Sequence, residues 1–139
     1  MTNQALTGTP TSRRFALCPS TIVAGQPVLL GSIPAVALDN YQANVGGTTF
    51  LIGGTFNLTV IGQSAESPTS GHQINLGDKI YANTVSTDPT TNVVIIGALD
   101  ANTSGIFFGY LDPDNSVNAG SILSGVTNTA AGVLLPNGA

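Results

Sequence analysis

Ile74-Asn75-Leu76-Gly77-Asp78-Lys79-Ile80-Tyr81-Ala82 reads as a turn that delivers the chain into a strand. Gly supplies the positive φ of a tight turn and Asp bonds its own backbone, so Gly77-Asp78 is a turn pair. Lys79 to Ala82 then alternates, with Ile80 on one face. The same grammar occurs at Ala24-Gly25-Gln26-Pro27-Val28-Leu29 and at Ala119-Gly120-Ser121-Ile122-Leu123. In each, a small or apolar residue and a Gly precede the first apolar strand position. Such units point to a small β-domain built from hairpins, and their unequal spacing excludes a solenoid or propeller.

Working outward, Thr48 to Ile52 and Thr55 to Ile61 flank Gly53-Gly54, and two glycines in a two-residue loop predict a type I′ hairpin. Phe56, Leu58 and Val60 share one face of its second strand, opposite Asn57 and Thr59, so that strand is half-buried. Val28 to Leu30 and Ile33 to Leu38 predict another hairpin across Gly31-Ser32. There Pro34, lacking an N–H, marks an edge or a strand start. Val93-Val94-Ile95-Ile96 is a continuous apolar run that fits a strand buried on both faces. Ile106 to Leu111 is an aromatic-rich strand turned by Asp112-Pro113-Asp114-Asn115, and Val133-Leu134-Leu135 closes the domain. Residues 62–73 read as a long polar loop and residues 83–92 as a turn-rich stretch. No stretch holds a helical period with a cap. The expected fold is all-β, a small β-barrel or β-sandwich of short hairpin-connected strands. Residues 1–20, rich in small polar residues with Gly8, Pro10 and Pro19, read as an extended N-terminal arm, leaving 21–139 as a single β-domain.

Only 7% of the residues are charged, against roughly 25% in an average domain. Ser, Thr, Asn, Gln and Gly stand in their place, and a surface that neutral is either covered by neighbours or a polar β-surface. A net charge of −4 and a pI near 4.3 argue against nucleic acid as partner, because phosphate binding draws on clustered cations. Only Arg13, Arg14 and Lys79 are basic. The start, Met-Thr-Asn-Gln, shows no basic-then-apolar signal, and no apolar run approaches the roughly 20 residues of a membrane span. The chain is therefore expected to be soluble, with no membrane partner. Cys18 stands alone, which excludes an internal disulfide and fits a small buried or half-buried filler made in a reducing compartment.

Nucleophilic catalysis needs a Ser or Cys beside a His that a carboxylate orients. His72 is the one imidazole, and Ser64, Ser67 and Ser70 lie near it because that loop is Ser-rich. Turn duty accounts for Asp39, Asp78, Asp88, Asp112 and Asp114. Asp112-Pro113-Asp114-Asn115-Ser116 resembles the opening of a calcium loop, but Val117 and Leu123 stand where Gly and Glu are required. The sequence carries no Cys/His cluster and no phosphate loop. The expectation is a non-enzyme without catalytic residues, cofactor or metal. The most contact-capable residues are Arg13, Arg14 and Phe15: guanidinium forks dock carboxylates and an aromatic anchors in a pocket. The alternative is that the arginines are merely solvated and Phe15 opens the first core strand.

Taken together, Thr11 to Phe15, Val23-Ala24-Gly25-Gln26-Pro27-Val28-Leu29-Leu30-Gly31 with Ile33 to Leu38, Leu76 to Ala82, Phe107 to Leu111, Ala119-Gly120 and Val133 to Leu135 resemble one family over nearly the full length. That family is the capsid cement, or head decoration, proteins of tailed bacteriophages. The resemblance implies a β-module on the outside of an assembled head, made in the host cytoplasm, that braces contacts between major capsid protein subunits. It also implies self-association, with a trimer favoured. The family brings no catalytic residues, so Arg13, Arg14 and Phe15 remain the expected capsid contacts. A receptor- or glycan-binding module of a head fibre or adhesin is the alternative, since neutral Ser/Thr/Asn surfaces suit sugar hydroxyls.

Overall fold

The turn at Gly77-Asp78 forms as the residue types require. Gly77 takes φ 87°, the Asp78 N–H donates to the Asn75 carbonyl at 3.0 Å, and the Asp78 carboxylate accepts the Asn75 N–H at 2.9 Å. The chain leaves it as a strand with Ile80 fully buried. The computed structural model describes residues 11–61, 74–114, 117–118 and 128–136. Those residues form nine strands and no helix: β1 (Ser12–Leu17), β2 (Pro27–Leu30), β3 (Ile33–Ala37), β4 (Gly47–Ile52), β5 (Gly54–Ile61), β6 (Lys79–Thr87), β7 (Val93–Asp100), β8 (Ile106–Leu111) and β9 (Asn128–Leu135). The fold is all-β. Residues 1–10, the polar loop 62–73 with His72, Ser64, Ser67 and Ser70, the unit 119–123 and the last three residues lie outside the described residues.

All pairings are antiparallel, and the strands join one sheet in the order β1-β4-β3-β2-β7-β6-β8-β9-β5. The sheet curls on itself. Its last strand, β5, packs back against β7 without pairing to it. Phe56, Leu58 and Val60 of β5 share one core with Leu29, Val36, Leu51, Ile80, Leu99, Phe108 and Val133. The opposite faces of β2, β3 and β4 are buried as well. Val28, Ala35, Ala37, Phe50, Ile52 and Val93 form a second cluster, joined by Cys18 and Ile22 from the segment between β1 and β2. That segment is tied down by Gly25 N–H to the Ala37 carbonyl and Tyr41 N–H to the Ile22 carbonyl. Val93 and Val94 lie in different clusters, so the start of the apolar run is indeed buried on both faces.

Two expectations are corrected. Gly53 and Gly54 do adopt positive φ, 79° and 92°, but β4 and β5 are not a hairpin. Both edges of β4 are taken, by β1 and β3, and β5 pairs with β9 at the far end of the sheet. The glycines turn a corner rather than reverse the chain. Likewise residues 83–87, expected to be turn, continue β6. Thr84 takes φ 53° there, costly for a β-branched residue. It sits between the pairs Asn83–Ala98 and Val85–Ile96, opposite Gly97, where a Cβ would lie 2.6 Å from the Thr84 carbonyl oxygen. The kink survives because its neighbour has no side chain. Pro34 causes no conflict: β3 meets β4 only from Val36 onward.

Candidate interface on the first strand

Arg13, Arg14 and Phe15 all fall on β1, the terminal strand of the sheet, and all are exposed. The second half of the expected arm is thus a paired strand. Its register with β4 sets Arg13 opposite Leu51, Arg14 opposite Phe50 and Phe15 opposite Thr49. Directly opposed residues share a face, so the arginines divide. Arg13, Phe15 and Leu17 lie on the face that Leu51 gives to the main core, whereas Arg14 and Ala16 lie with Phe50 on the face of the second cluster. The expected pair of adjacent forks is therefore split across two sides of one strand. Phe15 neither opens the first strand, which starts at Ser12, nor joins the core: Phe15 and Leu17 are each 56% exposed on this terminal strand. Leu17 was missed by reading Arg-Arg-Phe as a block. The alternation Arg13, Phe15, Leu17 was the signal.

The ladder also fixes which backbone groups face outward. Cys18 N–H donates to the Gly46 carbonyl at 3.2 Å, in line with the β1–β4 register, so the residues two and four positions earlier, Ala16 and Arg14, bond β4 in the same way. On β4's other side Leu38 N–H bonds the Thr49 carbonyl at 2.9 Å, the complementary parity. Arg13, Phe15 and Leu17 thus turn their N–H and C=O groups to the free edge, which no strand pairs with among the described residues. One of these groups is occupied: Arg14 Nη1 donates to the Arg13 carbonyl at 2.8 Å. Among the described residues neither arginine pairs with a carboxylate. Gly47 lets β1 lie this close, because a methyl there would land on the Ala16 carbonyl oxygen.

Asp112 is buried: its Oδ2 accepts from the Thr55 hydroxyl and its Oδ1 from the Asp114 N–H at 2.9 Å. Asn118 bonds the carbonyls of Asp112 and Gly132. The carboxylate sought for a calcium loop is thus engaged with Thr55 of β5, while the Asp112 N–H donates to the Gly132 carbonyl of β9 at 2.9 Å. Among the described residues no three His, Cys, Asp or Glu side chains gather as metal ligands. Burial pushes the Cys18 thiol above its ordinary pKa, opposed in part by a backbone hydrogen bond from Thr48. The unpaired seam of β5 and β7 leaves a groove of about 270 Å³ along residues 57–59 and 96–99. Beside it an apolar pocket of about 200 Å³ is walled by Val36, Leu38, Leu51 and Phe56. No ionisable side chain lines either one.

A feature the sequence reading overlooked lies on the outer face of β6 and β8. A register shift at Ile80/Tyr81 puts Lys79 opposite Tyr110 and Tyr81 opposite Phe107. Phe107 meets Tyr110 at 5.2 Å and Tyr81 at 6.2 Å, both edge-to-face, with Lys79 Nζ 5.9 Å above the Phe107 ring. These rings pack on one another rather than forming a flat platform.

Comparison with family models, with curated proteins and with solved structures finds no match to this chain.

Proposed function

We propose that this chain is a capsid decoration protein of a tailed bacteriophage, bound to the outside of the assembled head and bracing contacts between major capsid protein subunits. The observation that carries the reading is the pairing of a nearly uncharged chain with one open strand. Two of its three cations and two large exposed apolar side chains, Phe15 and Leu17, stand there, and among the described residues neither arginine meets a carboxylate. A neutral β-module adds burial to a seam without charge repulsion, and a charged, aromatic-bearing edge gives it direction. Weak contacts suffice when a module bridges several subunits, because each further contact is intramolecular. Self-association as a trimer belongs to the same proposal and is checked by sizing the free protein.

The test is occupancy. Purified undecorated heads are mixed with the wild-type protein and with Arg13→Asp/Arg14→Asp, and bound copies are counted. Saturable wild-type binding that the double variant loses, and that weakens with salt, supports the reading. Equal occupancy at low and high salt removes the arginines from it. The rival reading, a glycan-binding module, draws on the Tyr81, Phe107 and Tyr110 cluster. A glycan array positive for the wild type and negative for Tyr110→Ala, together with no affinity for heads, would favour it.

A further inference from the structure

Among the described residues the three outward-facing residues of β1 form a row of backbone donors and acceptors that no strand uses, interrupted at one point by Arg14. We infer that this edge accepts an extended strand of the protein partner, added antiparallel, and that Arg14 guards the edge in the free protein. The inference rests on the same surface as the decoration reading and specifies what that surface meets. An added strand exchanges hydrogen bonds with Arg13, Phe15 and Leu17, because these alone direct N–H and C=O outward. Opposed residues share a face, so the partner's side chains follow. Apolar residues stand opposite Leu17 and Phe15, and carboxylates opposite Arg13 on that face and Arg14 on the other. Read from N- to C-terminus, the partner strand runs apolar, any, apolar, acidic, acidic.

Charge selects this occupant over a second copy of the chain. A second β1 carries no carboxylate, and its only charges are the same two guanidinium groups, whereas the acidic strand supplies the carboxylates that neither arginine meets among the described residues. The guard follows from the 2.8 Å bond of Arg14 Nη1 to the Arg13 carbonyl, which occupies an acceptor the incoming strand needs. A carboxylate opposite Arg14 draws the guanidinium away. A neutral strand has to displace it, and charge on an edge is a general protection against indiscriminate strand pairing.

The experiment titrates the full-length, isotopically labelled protein with the end-blocked peptide Ser-Val-Thr-Val-Glu-Glu-Ser at millimolar concentration. The comparison peptide is the same sequence N-methylated at both Val. The first peptide is expected to slow amide exchange at Arg13, Phe15 and Leu17 by about tenfold or more, and the N-methylated one to leave it unchanged. No slowing, or equal slowing by both, overturns strand addition. Arg14→Ala is expected to weaken the acidic peptide and to strengthen one with Ser in place of both Glu; an unaltered preference overturns the guard. Because no head is present, peptide binding without occupancy on heads overturns the decoration reading alone. Occupancy without protection of these amides overturns strand addition alone.

Discussion

β1 and β5 are the two terminal strands of one sheet, and they end in opposite ways. β5 alternates cleanly, Phe56, Leu58 and Val60 inward and Asn57 and Thr59 outward, and the curl of the sheet carries it back onto β7 so that its apolar face is sealed in the core. β1 alternates too, Arg13, Phe15 and Leu17 against Arg14 and Ala16, but it lies at the other end of the sheet against β4, and the same kind of apolar side chain stays in solvent. Alternation thus decides which residues share a face. The path of the sheet decides whether that face is covered. Among the described residues the edge of β1 stays bare, and a bare edge is where strand pairing with another chain is expected.

The contrast breaks first at β5. Phe56→Ala removes a ring that is 1% exposed and is expected to cost about 3–5 kcal/mol in denaturant unfolding. A cost under about 1 kcal/mol would mean that β5 is not sealed. Gly47→Ala sharpens it at the other end: a methyl against the Ala16 carbonyl is expected to cost about 1–3 kcal/mol and to raise amide exchange in β1 before the rest of the sheet. Smaller is the effect of the buried thiol beside β1. The raised pKa of Cys18 means that folding favours the neutral thiol, so its stabilising share is complete below the ordinary value of 9.0. That share is lost as pH rises through 9.0 toward the folded value. Stability is expected to fall over that range in the wild type and to stay flatter in Cys18→Ala, with Cys18 resisting alkylation until the chain unfolds. Smallest of all is Phe15→Ala, expected to stay within about 0.5 kcal/mol of the wild type while lowering occupancy on heads. A large loss of stability would make Phe15 a core residue instead.

Much of the fold was legible where a local pattern has one physical outcome. Gly77-Asp78 made its turn, the β2–β3 hairpin closed across Gly31-Ser32, and the faces of Phe56, Leu58 and Val60 were right. What failed was long-range. Gly53-Gly54 announces positive φ but not whether the strands it joins will pair, because that depends on β1 and β3 claiming the edges of β4 first. β6 ran on past Ala82 because Gly97, on another strand, makes room for Thr84. For the interface, residue types marked Arg13, Arg14 and Phe15. The division of the arginines, the place of Leu17 beside Phe15 and the bond from Arg14 to the edge required the register, which no single strand contains.

The most direct measurement is residue-resolved amide exchange along β1 in the free protein. Arg14, Ala16 and Cys18, bonded to β4, are expected to exchange slowly, and Arg13, Phe15 and Leu17 to exchange near the rate of unstructured chain. Equal protection of all six would show the edge already covered, and equal exposure would show β1 undocked; either contradicts an open strand held at the end of a curled sheet.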